Sequence, residues 1–409
     1  MAKYLTLNDL KVKDKVVLVR VDFNSPVDPT SKKILEDTRI RAHGETTIRE
    51  LAEKGAKVVV LAHQGRKGDP DFIPTKQHAE LLGKVLGKPV KWVDDLFGDK
   101  AKNEIKKLES GEILVLDNVR NFAGETKEGT PEDHAKTDLI KNLAPLADYF
   151  VNDAFAAAHR AHVSIIGFTA VLPSAAGRIM EKELKSLSKV LEKPEKPCVF
   201  ILGGAKADDS LAISKYVLEN KVADYVLTGG VVGQVFLAAK GVDLGKGNMA
   251  FLAKQDLTNL MPGIKELQQK YPDKIETPED MAVEANGKRK EIAVKTLPTD
   301  LPIFDIGTRT IEKYVEIIGC ARSVVVSGPM GVYENAEFRV GTKKILEAIA
   351  DSKAFSLAGG GHTIGALQEF GLSRRISYIS TAGGALIEFL MGKKLPGVAA
   401  LEKAATRKT

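Results

Sequence analysis

Nine short runs rich in β-branched residues recur along the chain, each set off from the next by an amphipathic stretch of helical length. They are KVVLVRVDF, KVVVLAH, EILVLDNVR, DYFVND, CVFILGG, ADYVLTGG, RSVVVSG, AFSLAGG and ISYISTAGG. Neighbouring parallel strands need a crossover between them, and a helix supplies it, so this alternation demands parallel sheets with helices on both faces. Between the first two runs, residues 37–54 followed by Gly55 carry the start and stop signals of a helix. Nine strands are too many for one compact sheet of ordinary size, and 409 residues exceed one typical core. The expectation is an α/β protein of two doubly wound parallel-sheet domains, over 1–174 and 198–390. A charged amphipathic helix over 175–197, ended by prolines, joins them. The closing stretch KKLPGVAALEKAATRKT reads as a short helix after a Pro-Gly break.

Charge narrows the function. The net charge is +6 against 60 basic and 54 acidic residues, which argues against a nucleic-acid partner. Cys198 and Cys320 have no metal-ligand spacing and fit a reducing compartment. The opening MAKYLTLNDLKVKDK is polar rather than signal-like, and no apolar run approaches the ~18 residues of a membrane span. A cytoplasmic protein with no membrane partner is expected.

In open α/β sheets, ligands bind beyond the carboxyl ends of the strands. In the first half these ends are polar and cationic: Asp22 and Asn24, His63 and Arg66, Asn118 and Arg120, then Asn152 and Asp153, with HRAH (159–162) soon after. Arg39, at the start of the first helix, reaches the same rim. Of fifteen arginines, four (Arg39, Arg66, Arg120 and Arg160) fall at these loops. A single loop arginine is ordinarily just solvated, but four at one rim point to a shared anion site, since the guanidinium fork suits carboxylate and phosphate.

The second half carries glycine instead: Gly203-Gly204, Gly229-Gly230, Gly328-Pro329, Gly359-Gly360-Gly361 and Gly383-Gly384. One pair would be turn chemistry. Five such glycine turns, each before a helix N-terminus, suit a polyphosphate held by backbone N–H groups, with Lys206 as a point charge beside it. No P-loop and no G-x-G-x-x-G after the first strand occurs, HRAH lacks the kinase aspartate, and no Ser-His-Asp or Cys-His constellation stands out. The residues therefore imply a small anionic substrate in one half, a nucleotide in the other, and closure that excludes water from a transferring phosphoryl group. There is no clear general base for a hydroxyl acceptor, which leans towards an acceptor already ionised, such as a carboxylate.

VDFNSP, AHQGRKGD, LDNVR, VNDAFAAAHRAHVS, ILGGAKADDS, SGPMGVYE, AGGGHT and STAGGALIEFLMGKKLPGV occur in an order that resembles the phosphoglycerate kinase family over nearly the whole chain. The resemblance implies two Rossmann-like domains, with 391–409 returning to the first. It also implies reversible phosphoryl transfer between 1,3-bisphosphoglycerate plus ADP and 3-phosphoglycerate plus ATP, with Mg²⁺. It assigns Asp22, Phe23, Asn24, Arg39, His63, Gln64, Gly65, Arg66, Arg120 and Arg160 to the triose-phosphate site. The nucleotide site takes Gly204, Lys206, Gly328, Pro329, Glu334 (as ribose ligand), Gly359, Gly360, Gly361, His362 and Thr363. Arg39, Lys206, Gly361 and Gly384 are its catalytic candidates.

Three departures stand out. Ser210 replaces a second lysine, Ser327 replaces an asparagine before Gly-Pro, and His362 replaces an aspartate after the glycines. These variants resemble the archaeal branch. A neutral imidazole suits Mg²⁺ poorly, so Asp209, which aligns with an acidic residue just after the family's GGAK turn, is the metal candidate. Expected partners are the small-molecule substrates alone, for a monomer or homodimer. The alternative is a non-catalytic sugar-phosphate or nucleotide-binding protein on a kinase-like scaffold, against which the retention of both sites argues; a dehydrogenase ranks third.

Overall fold

The structure is a computed structural model describing residues 4–407; the first three residues of the polar opening and the last two of the chain lie outside it. The chain divides into two compact units. One runs up to Leu184 and takes the chain up again from Lys394, and the other spans Lys185–Lys393. The division falls inside the helix Arg178–Leu191.

In the first unit, strands β1 (Leu5–Thr6), β2 (Val16–Arg20), β3 (Lys57–Leu61), β4 (Lys91–Trp92), β5 (Ile113–Val115), β6 (Tyr149–Asn152) and β7 (Ser174–Ala176) form one sheet in the order β1-β7-β6-β2-β3-β5-β4. Every pairing is parallel. Alternate residues of the central strands serve opposite faces. Val17, Val19, Val58 and Val60 pack with Ile48, Leu51 and Leu82, while Leu18, Val59 and Leu114 pack with Ile105, Leu143 and Phe168. Both faces are thus covered, which explains the unbroken apolar runs in the sequence. Chain order reverses beside β2: β3 lies on one flank and β6 on the other. A ligand crevice belongs there.

In the second unit the strands are β8 (Cys198–Leu202), β9 (Tyr225–Thr228), β10 (Ile275–Glu276), β11 (Asp280–Ala285), β12 (Lys288–Ala293), β13 (Ile303–Ile306), β14 (Ser323–Ser327), β15 (Phe355–Gly359) and β16 (Tyr378–Ser380). Six make a parallel sheet in the order β10-β9-β8-β14-β15-β16, and β12-β11-β13 form a small antiparallel sheet.

Two local expectations need correction. Ala175 and Ala176 belong to β7, paired with β6, and the helix begins only at Arg178 and ends at Leu191. These small residues are buried in a short strand paired on both sides, with β1 and β6, and the amphipathic pattern that follows obscured that. The helix expected over 37–54 forms as Thr38–His43 and Arg49–Glu53 with a π-helical turn, Gly44–Ile48, between them. The terminal helix runs Pro396–Thr406 with its proline in the first turn, where no N–H is needed.

Candidate active site

In the first unit the carboxyl ends of β2, β3 and β5 bring the polar loops together through hydrogen bonds. The Asn24 side chain accepts from the Gly65 amide at 2.8 Å, and the Gly65 carbonyl accepts from the Arg120 guanidinium. Asn118 binds both ends of the Gln64 peptide and accepts from the Arg120 amide at 3.1 Å. Asp22, almost fully buried, accepts from Arg39 at 2.5 Å and from the Asn24 amide at 3.1 Å. Its own amide donates to His43 Nε2 at 3.3 Å, and the other ring nitrogen of His43 lies 2.7 Å from Asp153. Asp153 in turn accepts from the Ile179 and Met180 amides at the start of the helix Arg178–Leu191.

Arg66, Arg120 and Arg160, with Lys67 and His162, line a cavity of about 530 Å³ in which Glu128 is the one carboxylate among the described residues. Arg39 does not line it; it is held beside Asp22 on the same rim. The charge is felt locally. Burial, then Arg20, Arg120, Arg160 and Arg39, holds His63 well below the ordinary histidine range. Burial and then Arg160 bring His162 down to about 3. Both imidazoles are neutral at physiological pH, so His63 is a hydrogen-bonding group rather than a further cation.

Two residues assigned to this site turn inward. Phe23 is fully buried and stacks on His78 at 6.2 Å. The Gln64 side chain is fully buried and ties Ser25, Asp71 and His78 together. Their side chains support the loops instead of lining the cavity.

Sequence reading missed Arg20. It ends β2, is 2% exposed, and donates to the Ser164 hydroxyl at 2.8 Å, to the Val21 carbonyl and to His63 Nδ1 at 3.1 Å. A guanidinium only donates, so His63 Nδ1 must accept and its proton sits on Nε2. Ser164 bonds the buried Glu125 at 2.6 Å, and burial raises the Glu125 carboxyl. The signal was present: a charged residue inside an apolar parallel strand has to be paired internally.

In the second unit, a cavity of about 580 Å³ is lined by Lys206, Asp209, Ser210, Ser327, Gly328, Gly360, Gly361, Thr363, Gly383 and Gly384, among others. Nearly all the glycine-rich strand ends therefore meet at one place. Some of those glycines serve packing. Gly328 has φ +89° and a Cβ there would stand 2.2 Å from the Gly203 carbonyl, so β8 and β14 loops touch through bare backbone. Gly361 instead faces open space, and it begins the helix Gly361–Glu369. Thr363 is buried and its hydroxyl accepts from the Gly328 amide at 2.8 Å, bracing the two loops. Gly359 ends β15 and packs on Leu386 behind them.

A second cavity, about 550 Å³, adjoins the first through Gly204, Ala205, Pro329 and His362. Its walls are largely apolar: Val231, Phe251, Phe304 and Val332, with Glu334 among them. Phe251 and Val332 are unusually exposed for their size. Nothing in the motifs announced this pocket; exposed apolar side chains gather only after the chain folds. His362 is exposed at the junction, its Nδ1 3.4 Å from Glu334. Burial, then Asp208, raises the half-buried Asp209 carboxyl, while Lys206 and Lys393 pull it the other way. Among the described residues, no three His, Cys, Asp or Glu side chains cluster to hold a metal ion.

An arginine-lined cavity on one Rossmann-like unit and a glycine-lined cavity on another are the arrangement that a phosphotransferase acting on a small anionic metabolite requires. Residues 7–393 match the family model for phosphoglycerate kinase. The chain is 49% identical over 401 residues to the phosphoglycerate kinase of Methanothermobacter thermautotrophicus, covering 98% of this chain and 97% of that protein. It is also 49% identical over 409 residues to that of Methanococcus maripaludis, covering 98% of each. The crystal structure of phosphoglycerate kinase from Pyrococcus horikoshii OT3 superposes with a TM-score of 0.87 at 42% identity, covering 98% of this chain and 99% of that one. The chain belongs to the phosphoglycerate kinase family. It is a phosphotransferase with a carboxyl group as acceptor and uses ATP/ADP with Mg²⁺; the reading as a non-catalytic binding protein is not favoured.

Proposed function

We propose that the arginine rim of the first unit binds the triose phosphate and the adjoining cavities of the second bind the nucleotide. The observation that carries this is the separation of chemistry: arginines and a neutral imidazole line the cavity at one set of strand ends, while bare backbone with Lys206 and Lys393 lines the cavity at the other. Arg66, Arg120 and Arg160 clamp the anionic substrate, with His63, Asn24 and Asp22 orienting it. The apolar cavity suits a purine face, Glu334 suits ribose hydroxyls, and the amides at Gly361 and Gly384 suit phosphate oxygens. Lys206 completes the phosphate contacts.

In the ATP-forming direction an oxygen of the ADP β-phosphate attacks the phosphorus of the acyl phosphate. The carboxyl oxygen–phosphorus bond breaks and 3-phosphoglycerate leaves with an ionised carboxylate. No proton changes hands, which accounts for the absence of a general base. Arg39 neutralises the charge spread over the transferring group.

Magnesium bound with the nucleotide would supply neutralisation of phosphate charge. Among the described residues no three-ligand cluster occurs, so nucleotide and water would supply most of the ion's oxygen ligands, and Asp209 is a carboxylate lining the cavity that would contribute one. Asp209→Ala should raise the Mg²⁺ concentration for half-maximal activity about tenfold, or about 1.4 kcal/mol. His362→Ala should barely move it. A titration showing the reverse would transfer the metal role to His362.

The described residues include no helix long and apolar enough to cross a membrane, and a cytoplasmic setting fits the substrates. The assay that tests the whole reading follows ADP release from MgATP and 3-phosphoglycerate. Sustained turnover is expected; binding of both without turnover would reduce the protein to a binding scaffold.

A further inference from the structure

We propose that Lys393 is the second cation on the nucleotide's terminal phosphate, supplying from the far wall of the cavity the charge that Ser210 does not. The proposal rests on the reading of this cavity as the polyphosphate site. Ser210 stands one helical turn after Lys206, but its hydroxyl is bonded back to the Lys206 carbonyl at 3.0 Å and it carries no charge. Among the described residues lining the cavity, the lysines are Lys206 and Lys393. A terminal phosphate gathers charge as the phosphoryl group transfers, and a single lysine is a sparse counterweight for it.

Lys393 has an exposed side chain, but its backbone position is fixed. It follows the helix Gly384–Leu390 in a Schellman turn: the Lys393 amide donates to the Glu388 carbonyl at 3.0 Å and the Gly392 amide to the Phe389 carbonyl at 2.9 Å. Gly392 has φ +74°, and a Cβ there would stand 1.9 Å from the Tyr216 ring. The chain is therefore pressed against the helix Ala207–Glu219, whose first turn carries Asp209 and Ser210, and Lys393 leaves that turn into the cavity. Its ammonium lies 3.9 Å from Glu388, at the limit of an ion pair, so it remains available to a phosphate.

The experiment measures binding of ATP, ADP and AMP, and kcat, in the full-length protein and in Lys393→Ala, Lys393→Arg and the double variant Lys393→Ala/Ser210→Lys. Lys393→Ala is expected to bind ATP about tenfold more weakly, to lose about tenfold or more in kcat, and to bind AMP as the wild type does. Lys393→Arg should retain most of both, and the lysine introduced at position 210 should restore much of the loss. Unchanged ATP affinity and kcat in Lys393→Ala would overturn the proposal. So would an equal loss for AMP, which would mark a structural role. Failure of the wild-type protein to bind AMP or ATP at all would instead remove the reading of the cavity.

Discussion

Arg39→Ala is expected to lower kcat by about 100-fold to 1,000-fold while leaving KM for either substrate within about threefold. Only an interaction stronger in the transition state than in the ground state has that signature. Arg39 lies outside the arginine-lined cavity, about a third exposed, and its partner in the free protein is Asp22 at 2.5 Å. It is thus poised on the rim, outside the cavity in which Arg66, Arg120 and Arg160 are proposed to clamp the substrate. Its removal frees Asp22, which keeps the Asn24 amide as a partner, so the unfolding temperature should fall only modestly. A variant with near-normal kcat and a raised KM would make Arg39 a fourth clamp residue.

The second large effect is on stability in acid. His78 is fully buried, and burial brings it down to about 4 from an ordinary value of 6.5. Its ring stacks on Phe23 and bonds Gln64 at 3.1 Å, so it holds from beneath the loops proposed to bind the triose phosphate. The unfolded chain takes up a proton near pH 6.5 while the folded protein does not until about pH 4. The folded state's advantage is complete above 6.5 and is lost as pH falls from there to about 4. This one group therefore contributes about 3 kcal/mol over that window, at about 1.4 kcal/mol per pH unit. His63 and His162, also depressed, add to the loss in the same direction. Chemical denaturation of His78→Gln across pH 4–7 should show a shallower decline than wild type by about 1.4 kcal/mol per pH unit. Parallel curves would mean that His78 is not held neutral.

Most of this architecture is legible in the sequence because both sheets are parallel and buried on both faces, which leaves long apolar runs ending in chemistry. What escaped detection is physically different. β11 and β12 form an antiparallel hairpin around Asn286-Gly287, both with positive φ, and the charged run GKRKEI lacks the apolar signature of the other strands because β12 is largely solvated. β4 and β10 are two residues long, too short to show a period. At the site, Asn24, Arg66, Arg120, Lys206 and the glycines were visible because each follows its strand directly. Arg20 was not, since its role depends on Ser164 and Glu125, more than a hundred residues away. Phe23 and Gln64 share a motif with their neighbours but point the other way, a distinction that side-chain direction makes and sequence proximity does not. The apolar cavity draws on helices and loops far apart in the chain, and no local pattern records it. Lys393 sits inside a recognised motif, yet only the turn against Tyr216 brings it to the glycine-lined cavity.

The central claim is that each unit carries one substrate. Calorimetric titration of 3-phosphoglycerate and of ADP into the full-length wild type, Arg120→Ala and Lys206→Ala tests it most directly. Arg120→Ala should weaken 3-phosphoglycerate by about 10-fold to 100-fold, the loss of a charged contact of about 1.5–3 kcal/mol, and leave ADP within about twofold. Lys206→Ala should weaken ADP and leave 3-phosphoglycerate unchanged. If either substitution weakens both ligands alike, the two sites are not separate and the account is wrong.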